Sequence, residues 1–263
     1  AAPQLPAEQP NLLLVTVDTL RADRLSAYGN PRPTSPVIDR LAGEGVRFDR
    51  PAVQWPKTGP SFASMFTSTY PSQHGIVRHI GIEMPCSFRM LAEELKSRGY
   101  STHAVVSNGA VASEFRFDQG FDTFVETWKL EPTGPGVDPN GAETETALAQ
   151  GVAESLGGEQ PYFLWVHYLD PHFPYGAPDG YREVYDNDEF YAPIRTIEFA
   201  DNPNQQMVQL GSRRTIDQRT DLGIYVSRYD AEITYTDEQI GLLLDSMQTD
   251  GLLDNTLLAF TSD

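Results

Sequence analysis

Residues 10–29 read PNLLLVTVDTLRADRLSAYG, and this stretch decides the fold. Asn11 to Val17 is a short, continuous run of apolar residues, which predicts a strand buried on both faces, as in a parallel sheet. A polar segment that begins with Asp18 follows at once. In such sheets the ligand site lies beyond the carboxyl ends of the strands, so Asp18 is a candidate site residue.

Strands and helices alternate along the rest of the chain. Further strands are predicted at 101–106, 162–166 and 256–261. Helices are predicted between Thr34 and Gly45, over 60–68, from Ser87 to Gly99, over 142–156 and over 222–247. Residues 176–220 are polar and irregular, and they predict a surface excursion. The alternation predicts an α/β fold, a three-layer sandwich with helices on both faces of a mostly parallel sheet.

Polar residues follow all four predicted strands. They are Asp18, Ser107 and Asn108, His167 and Asp170, and Asp263. Because the carboxyl ends of parallel strands meet at one edge of a sheet, these side chains are expected to lie close together. Convergence from four strands is better evidence for a site than any single residue.

The charge and cysteine content limit the classes of partner. The formal net charge is −18, which disfavours nucleic acid and anionic membrane surfaces. A site for an anionic ligand would then need local positive potential from a metal, helix N-termini and a few cationic side chains. Cys86 is the single cysteine, so no intramolecular disulfide forms. No apolar run approaches the thickness of a bilayer, so no membrane span is predicted.

The two ends of the chain indicate its organisation. Residues 1–10 are rich in Pro, Ala and Gln and predict a flexible segment left after removal of a leader or tag, which favours a periplasmic or secreted location. Residues 11–263 are expected to form one catalytic domain. Because only Ser262 and Asp263 follow the last predicted strand, we expect this domain to be incomplete at its C-terminus.

Seven segments, in order, resemble the sulfatase and alkaline-phosphatase superfamily. After residues 10–29 they are TSPVIDRLAGEGVRF (34–48), PKTGPSFASMFTSTYPSQHG (56–75), 115–124 with the core FDQGFDTF, FLWVHYLDPHFPY (163–175), YDAEITYTDEQIGLL (229–243) and NTLLAFTSD (255–263). Each is weak evidence alone, but the ordered set covers nearly the whole chain. The resemblance implies an α/β sandwich and metal-dependent hydrolysis of sulfuric, phosphoric or phosphonic esters.

The resemblance implies a nucleophile at Thr58 and metal ligands at Asp18, Thr58 and Asp263. Sulfatases carry Cys or Ser at the nucleophile position and convert it to formylglycine, which Thr does not form. A Thr hydroxyl activated on a metal instead resembles the mechanism of the phosphatases, so phosphoesters are the favoured substrates. The helix that begins near Pro60 would direct its N-terminus at an anion. The alternative is that Thr58 is a plain helix cap.

His172, in the segment DPHFPY, matches a substrate-side histidine that acts as a general acid or oxyanion donor. The candidate substrate-binding residues are Lys57, His79, Asn108 and His167. Each also has a structural interpretation: a solvated lysine for Lys57, a turn for Asn108, and a structural histidine for His79. For His167 the alternative is a hydrogen-bonded core histidine.

Besides Thr58, the chain departs from the sulfatase pattern in three places, one of which is the absence of the Gly-Lys-Trp-His signature from residues 99–108. Thr19 replaces a second Asp, and Phe62 replaces the usual Arg. The spacing that builds a second metal site is absent around Asp170, so we expect one divalent ion, with Ca, Mg, Mn and Zn not distinguished. A His is expected to follow Asp263.

Two alternatives to a hydrolase stay open. One is a phosphoryl-group transferase of the same superfamily, such as a phosphoethanolamine or glycerophosphate transferase. The other is a catalytically inactive sulfatase-like binding protein. For an enzyme, the expected partner is a small-molecule anionic ester. The sequence does not indicate an oligomeric state.

Overall fold

The computed structural model describes residues 9–78, 80–131, 138–156, 160–186, 188–192, 216 and 221–263. The candidate residue His79 lies outside these ranges, as does much of the excursion predicted at 176–220.

Five strands form one sheet in which all pairs are parallel. They are β1 (Asn11–Val17), β2 (Ser101–Val106), β3 (Thr123–Glu126), β4 (Tyr162–Tyr168) and β5 (Thr256–Ser262), in the spatial order β3-β2-β4-β1-β5. The sequence did not predict β3, which is four residues long. Strand β4 runs two residues further than predicted, so His167 lies within the strand and not after it.

The register of the sheet explains why distant carboxylates meet. Val17 of β1 pairs with Tyr168 of β4 on one side and with Ser262 of β5 on the other. The next residue of β1 is Asp18 and the next residue of β5 is Asp263. Because both strands run in the same direction, the two aspartates emerge side by side at the carboxyl edge.

Seven α-helices connect the strands in the described part of the chain. They are α1 (Pro36–Glu44), α2 (Thr58–Thr67), α3 (Pro71–His74), α4 (Leu91–Ser97), α5 (Ala142–Ala153), α6 (Asp179–Asp186) and α7 (Leu222–Thr249). Helix α6 lies inside the segment predicted to be irregular. Helix α4 begins later than the predicted Ser87, because Met90 is its N-cap and donates its backbone N–H to the Glu93 side chain.

The core has two layers, one on each face of the sheet. Alternate β1 residues point to opposite sides, with Leu13 and Val15 in one layer and Leu14 in the other. The first layer packs under α1, α5 and α7, and the second under α2 and α4. The predicted α/β three-layer sandwich and the two-sided burial of β1 are confirmed.

Strand β5 differs from its prediction as a buried strand. It is only half-buried, and Leu257 on it is 60% exposed. None of the helices in the described ranges combines the length and apolar character needed to cross a membrane.

Candidate active site

Asp18 is a fully buried carboxylate at the carboxyl end of β1. Its Oδ2 accepts hydrogen bonds from Asn108 Nδ2 at 2.5 Å and from the Thr58 hydroxyl at 3.5 Å. Its Oδ1 has no hydrogen-bond partner within the described residues. A buried carboxylate oxygen without a partner is unfavourable, so this atom is well suited to face a cation.

Asp263 approaches Asp18 from the neighbouring strand. Its Oδ1 accepts the backbone N–H of Thr19 at 2.9 Å. Thr19 holds this geometry with a φ of 52°, in the left-handed region that β-branched residues rarely adopt. The turn after β1 is therefore shaped to hold the second carboxylate beside the first.

The electrostatics of the two aspartates reflect their proximity. Burial, followed by the negative charge of Asp18, raises the pKa of Asp263. Burial also acts to raise the pKa of Asp18, but the charges of His167 and His172 and the hydrogen bond from Asn108 outweigh burial, so that pKa lies below its ordinary value. Two adjacent buried carboxylates repel each other when both are ionised, and a divalent cation between them would remove that penalty.

Thr58 is the first residue of α2 and is 4% exposed. Its hydroxyl interacts with both aspartates, since it donates to Asp18 and also acts to lower the pKa of Asp263 by hydrogen bonding. The helix begins two residues earlier than predicted, and the preceding Lys57 provides no side-chain cap. Thr58 and Gly59 therefore present backbone N–H groups that suit an anion at the helix N-terminus.

A cavity of about 1260 Å³ opens over this end of the sheet. Four of the predicted site residues line it: Lys57, Thr58, His172 and Asp263. Arg47 and Arg50 also line it, together with apolar side chains of the 46–56 segment. The sequence did not single out these arginines, and Arg47 forms an ion pair with Asp49 at 3.0 Å.

The imidazole of His172 is oriented by its own loop. Its Nδ1 lies 2.7 Å from the carbonyl oxygen of Phe173. Because a carbonyl oxygen only accepts, Nδ1 carries the proton in this bond, and Nε2 remains available. The charge of His172 acts to lower the pKa of Asp18, which indicates that the ring lies near the paired carboxylates.

The predicted substrate contact of His167 does not agree with the structure. The side chain is fully buried and does not line the cavity. Its Nδ1 lies 3.0 Å from Thr16 Oγ1, its Nε2 lies 3.6 Å from Asp18 Oδ2, and its ring packs on Phe62. Because β4 continues through this position, His167 lies in the core of the sheet, next to the buried carboxylate of Asp18.

Asn108 has a structural role close to the one predicted for it as an alternative. Its Oδ1 accepts the backbone N–H of Ala110 at 2.8 Å, and its Nδ2 holds Asp18. It does not line the cavity. Of the other two substrate-binding candidates, Lys57 is exposed at the cavity rim, and His79 lies outside the described residues.

Two residues of α7 that fix the turn after β1 were not identified from the sequence. The Tyr229 hydroxyl accepts the Arg21 N–H at 2.8 Å and donates to the Thr19 carbonyl at 2.7 Å. Asp230 is fully buried and forms an ion pair with Arg24. The sequence signal that could have identified them is the run of polar residues within the apolar periodicity of this helix.

The chemistry of the convergent groups fits one hard divalent cation. Two carboxylates and a hydroxyl meet at the sheet edge, and oxygen donors of this kind suit such ions. Within the ranges that the structure describes, no group of three or more His, Cys, Asp or Glu side chains is arranged to hold a metal. The fit therefore rests on the unpartnered Asp18 Oδ1, the adjacent Asp263 and the Thr58 hydroxyl.

This chain resembles known proteins both in sequence and in fold. The Sulfatase family model matches residues 10–263. An ulvan-active sulfatase of Formosa agariphila is 27% identical, over 97% of this chain and 50% of that protein. The solved phosphonate monoester hydrolase of Agrobacterium radiobacter superposes with a TM-score of 0.73 at 22% identity, covering 97% of this chain and 62% of that one.

A more distant structure shares the same fold. The C-terminal periplasmic domain of Escherichia coli EptC, solved in complex with Zn, superposes with a TM-score of 0.67 at 18% identity, covering 97% of this chain and 63% of that one. The chain spans about half to two thirds of the length of the curated sulfatases it matches. Because the family model covers almost the whole chain, the chain belongs to the sulfatase family.

Proposed function

We propose that this chain forms the nucleophile-bearing part of a metal-dependent ester hydrolase in which Thr58 attacks the ester. The observation that carries the proposal is the convergence of Asp18, Thr58 and Asp263 at one edge of the sheet. These three groups come from separate elements that are far apart in the sequence. A helix cap alone does not require a buried and a half-buried carboxylate beside it.

One divalent cation would be held by Asp18, Asp263 and the Thr58 hydroxyl. When bound, it would lower the pKa of that hydroxyl and stabilise negative charge on the transferred group. Asn108 and His167 would support Asp18 from behind, through contacts to its Oδ2. Such supporting contacts orient a ligand without touching the substrate.

The chain's own residues supply the remaining steps. The Thr58 hydroxyl releases its proton to solvent in the open cavity that it lines, and its oxygen forms a bond to the phosphorus or sulfur centre, while the bond to the leaving alcohol breaks. Thr58 and Gly59 N–H groups bind a peripheral oxygen of the transferred group. His172 Nε2 donates a proton to the leaving oxygen. Water then cleaves the Thr ester and regenerates the hydroxyl.

Phosphoric or phosphonic esters are the favoured substrates, and sulfate esters are the competing class. The support for phosphorus is chemical, since Thr58 does not form the aldehyde hydrate of formylglycine sulfatases. Phe62, fully buried against Trp165 and Phe66, also leaves no cation at the position of the sulfatase Arg. The phosphonate monoester hydrolase shares the fold and is named for such chemistry, whereas the curated relatives are named sulfatases.

We also propose a periplasmic or secreted location. The support is the N-terminal composition and the shared fold of a domain described as periplasmic.

Replacement of the nucleophile tests the proposal. Metal-loaded wild type, Thr58→Ser and Thr58→Ala are assayed on 4-nitrophenyl phosphate, phenylphosphonate and sulfate. We expect Thr58→Ala to lose about a thousandfold or more in kcat, as for other nucleophile removals. Thr58→Ser keeps a hydroxyl at the same position and is expected to retain measurable turnover. The phosphorus esters are expected to be hydrolysed faster than the sulfate.

Two results would contradict this proposal. Equal turnover by Thr58→Ala and wild type would remove Thr58 as the nucleophile. If the full-length wild type binds no divalent metal and hydrolyses none of the three esters, the protein is better described as an inactive sulfatase-like binding protein. A preference for the sulfate ester would reverse the substrate assignment and leave the nucleophile in place.

A further inference from the structure

A second group of buried carboxylates lies beneath the loop that carries His172. We call Glu145, Asp170 and Glu232 the acid trio. Glu145 and Glu232 are 0% and 1% exposed, and each has one carboxyl oxygen without a hydrogen-bond partner within the described residues. Burial first, and then the negative charge of Asp170, raises the pKa of both. The trio is not part of the site described above.

Each member of the acid trio accepts a backbone N–H group, and two of these bonds lie at the start of the loop. Glu145 accepts the N–H of Leu169 at 3.1 Å. Asp170 itself accepts the N–H of Ala142, at the start of α5, at 3.1 Å. These two contacts fix where the chain leaves β4.

Glu232 of α7 holds the other end of the loop. Its Oε1 accepts the N–H of Ala177 at 2.5 Å, and the N–H of Gly176 also acts on the carboxyl group. The intervening residues 171–176 have no regular secondary structure. Their conformation depends on how the two ends are held and on contacts within the loop, such as the packing of Phe173 on Tyr175.

His172 lies between these anchors. Its backbone N–H donates to the Leu169 carbonyl at 2.8 Å, which closes a tight turn directly after β4. Its ring is oriented by the carbonyl oxygen of Phe173. A shift at Ala177 would therefore move the ring relative to Thr58 and Asp18. Errors of about 1 Å in the placement of a catalytic group reduce turnover by up to about a hundredfold.

We propose that Glu232 is a positioning residue for His172: its carboxyl group anchors the end of the 169–177 loop and so sets where the imidazole stands. The proposal rests on the proposed function for its kinetic consequence only. The hydrogen bond to Ala177 requires an acceptor oxygen at this position, not a charge. Glutamine therefore fulfils the same role as glutamate, and alanine does not.

Asp237, on the same helix, offers a matched control. It is 1% exposed and accepts the N–H groups of Val37 and Ile38 at 2.9 Å each. It therefore anchors a different element, α1, with a buried carboxyl group of the same kind. Asp237→Ala is expected to destabilise the fold without moving the 169–177 loop.

The test compares Glu232→Ala, Glu232→Gln and Asp237→Ala in the intact, metal-loaded protein. The first readout is ¹⁵N NMR of the histidine rings, with His172 assigned from a His172→Gln spectrum. We expect Glu232→Ala to shift the His172 ring signals and weaken the single-tautomer pattern set by Phe173. Glu232→Gln and Asp237→Ala are expected to leave those signals in place.

The second readout is kinetic. For Glu232→Ala we expect kcat to fall by about tenfold to a hundredfold with a much smaller change in KM, because a misplaced leaving-group donor affects the transition state. Glu232→Gln is expected to restore kcat to within about threefold of wild type. Thermal unfolding of every variant separates these effects from loss of fold.

Unchanged His172 signals in Glu232→Ala, with kcat falling no more than in Asp237→Ala, would overturn the proposal. If Glu232→Ala does not fold, Glu232→Asp is tested instead, because it withdraws the carboxyl group by one methylene. If the wild type hydrolyses no ester, the proposed function fails on its own. The NMR comparison then still decides whether Glu232 positions His172.

Discussion

Two groups of buried carboxylates lie at the same edge of the sheet, and they balance their charge in different ways. Asp18 and Asp263 meet beside the Thr58 hydroxyl, and Asp263 and Thr58 line the open cavity. The acid trio of Glu145, Asp170 and Glu232 lies under a loop and holds backbone amides. The first pair is the proposed cation site, whereas the second group accepts hydrogen bonds from the backbone.

The pKa directions reflect this difference. Burial acts to raise the pKa of Asp18, but the charges of His167 and His172 and the hydrogen bond from Asn108 outweigh burial, so this pKa is lowered. Burial raises the pKa of Glu232 to about 8 and that of Asp170 to about 6. Burial of carboxylates alone therefore does not make a metal site. The partners of each oxygen decide whether a proton or a cation neutralises it.

The largest expected effect is on the stabilisation of the fold by metal, which we expect to depend on Asp18 and not on the acid trio. In wild type, a divalent metal at about 100 times its Kd is expected to stabilise the fold by about 2.7 kcal/mol. Asp18→Asn keeps the shape of the side chain but removes the charge, so we expect this stabilisation to be lost. Glu145→Gln removes an equally buried carboxylate from the acid trio and is expected to keep it. Thermal unfolding with and without metal measures both.

A loss of metal stabilisation in Glu145→Gln as large as in Asp18→Asn would show that the two groups act as one site. Elemental analysis of the purified variants provides an independent count of bound metal.

A second effect concerns the pH dependence of stability. The pKa of Glu232 is raised from 4.5 to about 8, first by burial and then by the charge of Asp170. Between these values the folded state keeps a proton that the unfolded state has released. Its contribution is therefore full below about pH 4.5 and is lost as the pH rises through about 8. Glu232→Gln is expected to make the fall in unfolding temperature between about pH 5 and 8 shallower.

Glu238→Gln is the matched control for this pH effect, because Glu238 is exposed on the same helix. Its profile is expected to follow that of wild type. A Glu232→Gln profile that also follows wild type would show that Glu232 ionises normally in the folded protein.

The smallest effect concerns the turn that joins the paired aspartates. Thr19 is exposed and has a φ of 52°, which is unfavourable for a β-branched residue. Asparagine tolerates this conformation, so Thr19→Asn is expected to stabilise the metal-free fold by about 1 kcal/mol. Urea unfolding measures the change. Equal or lower stability would show that the left-handed backbone costs threonine nothing at this position.

Much of the fold followed from local patterns in the sequence. The apolar run at Asn11–Val17 predicted a strand buried on both faces, and the structure confirms it. Strand β3 was missed, because four residues flanked by turns give no periodic signal. Helix α6 was missed as well, because it is short and lies among polar residues.

Asp18 and Asp263 follow strands that the sequence predicted, and Thr58 lies two residues before its predicted helix, while the roles of all three at the candidate site stay predictions. His167 was assigned to the substrate side because β4 was predicted two residues too short. The structure places its ring under Asp18 instead. A shift of this size at a strand end decides whether a side chain stands beyond the strand or packs within the core of the sheet.

The sequence by itself determined the α/β class, the order of the elements and the family resemblance, because these depend on periodicity and on motifs that are local. Tertiary structure decided which polar residues meet. The parallel register of β1 with β5 sets Asp18 beside Asp263, and the packing of α7 brings Glu232 under the loop of His172. These residues are far apart in the chain, so only the folded structure brings them together.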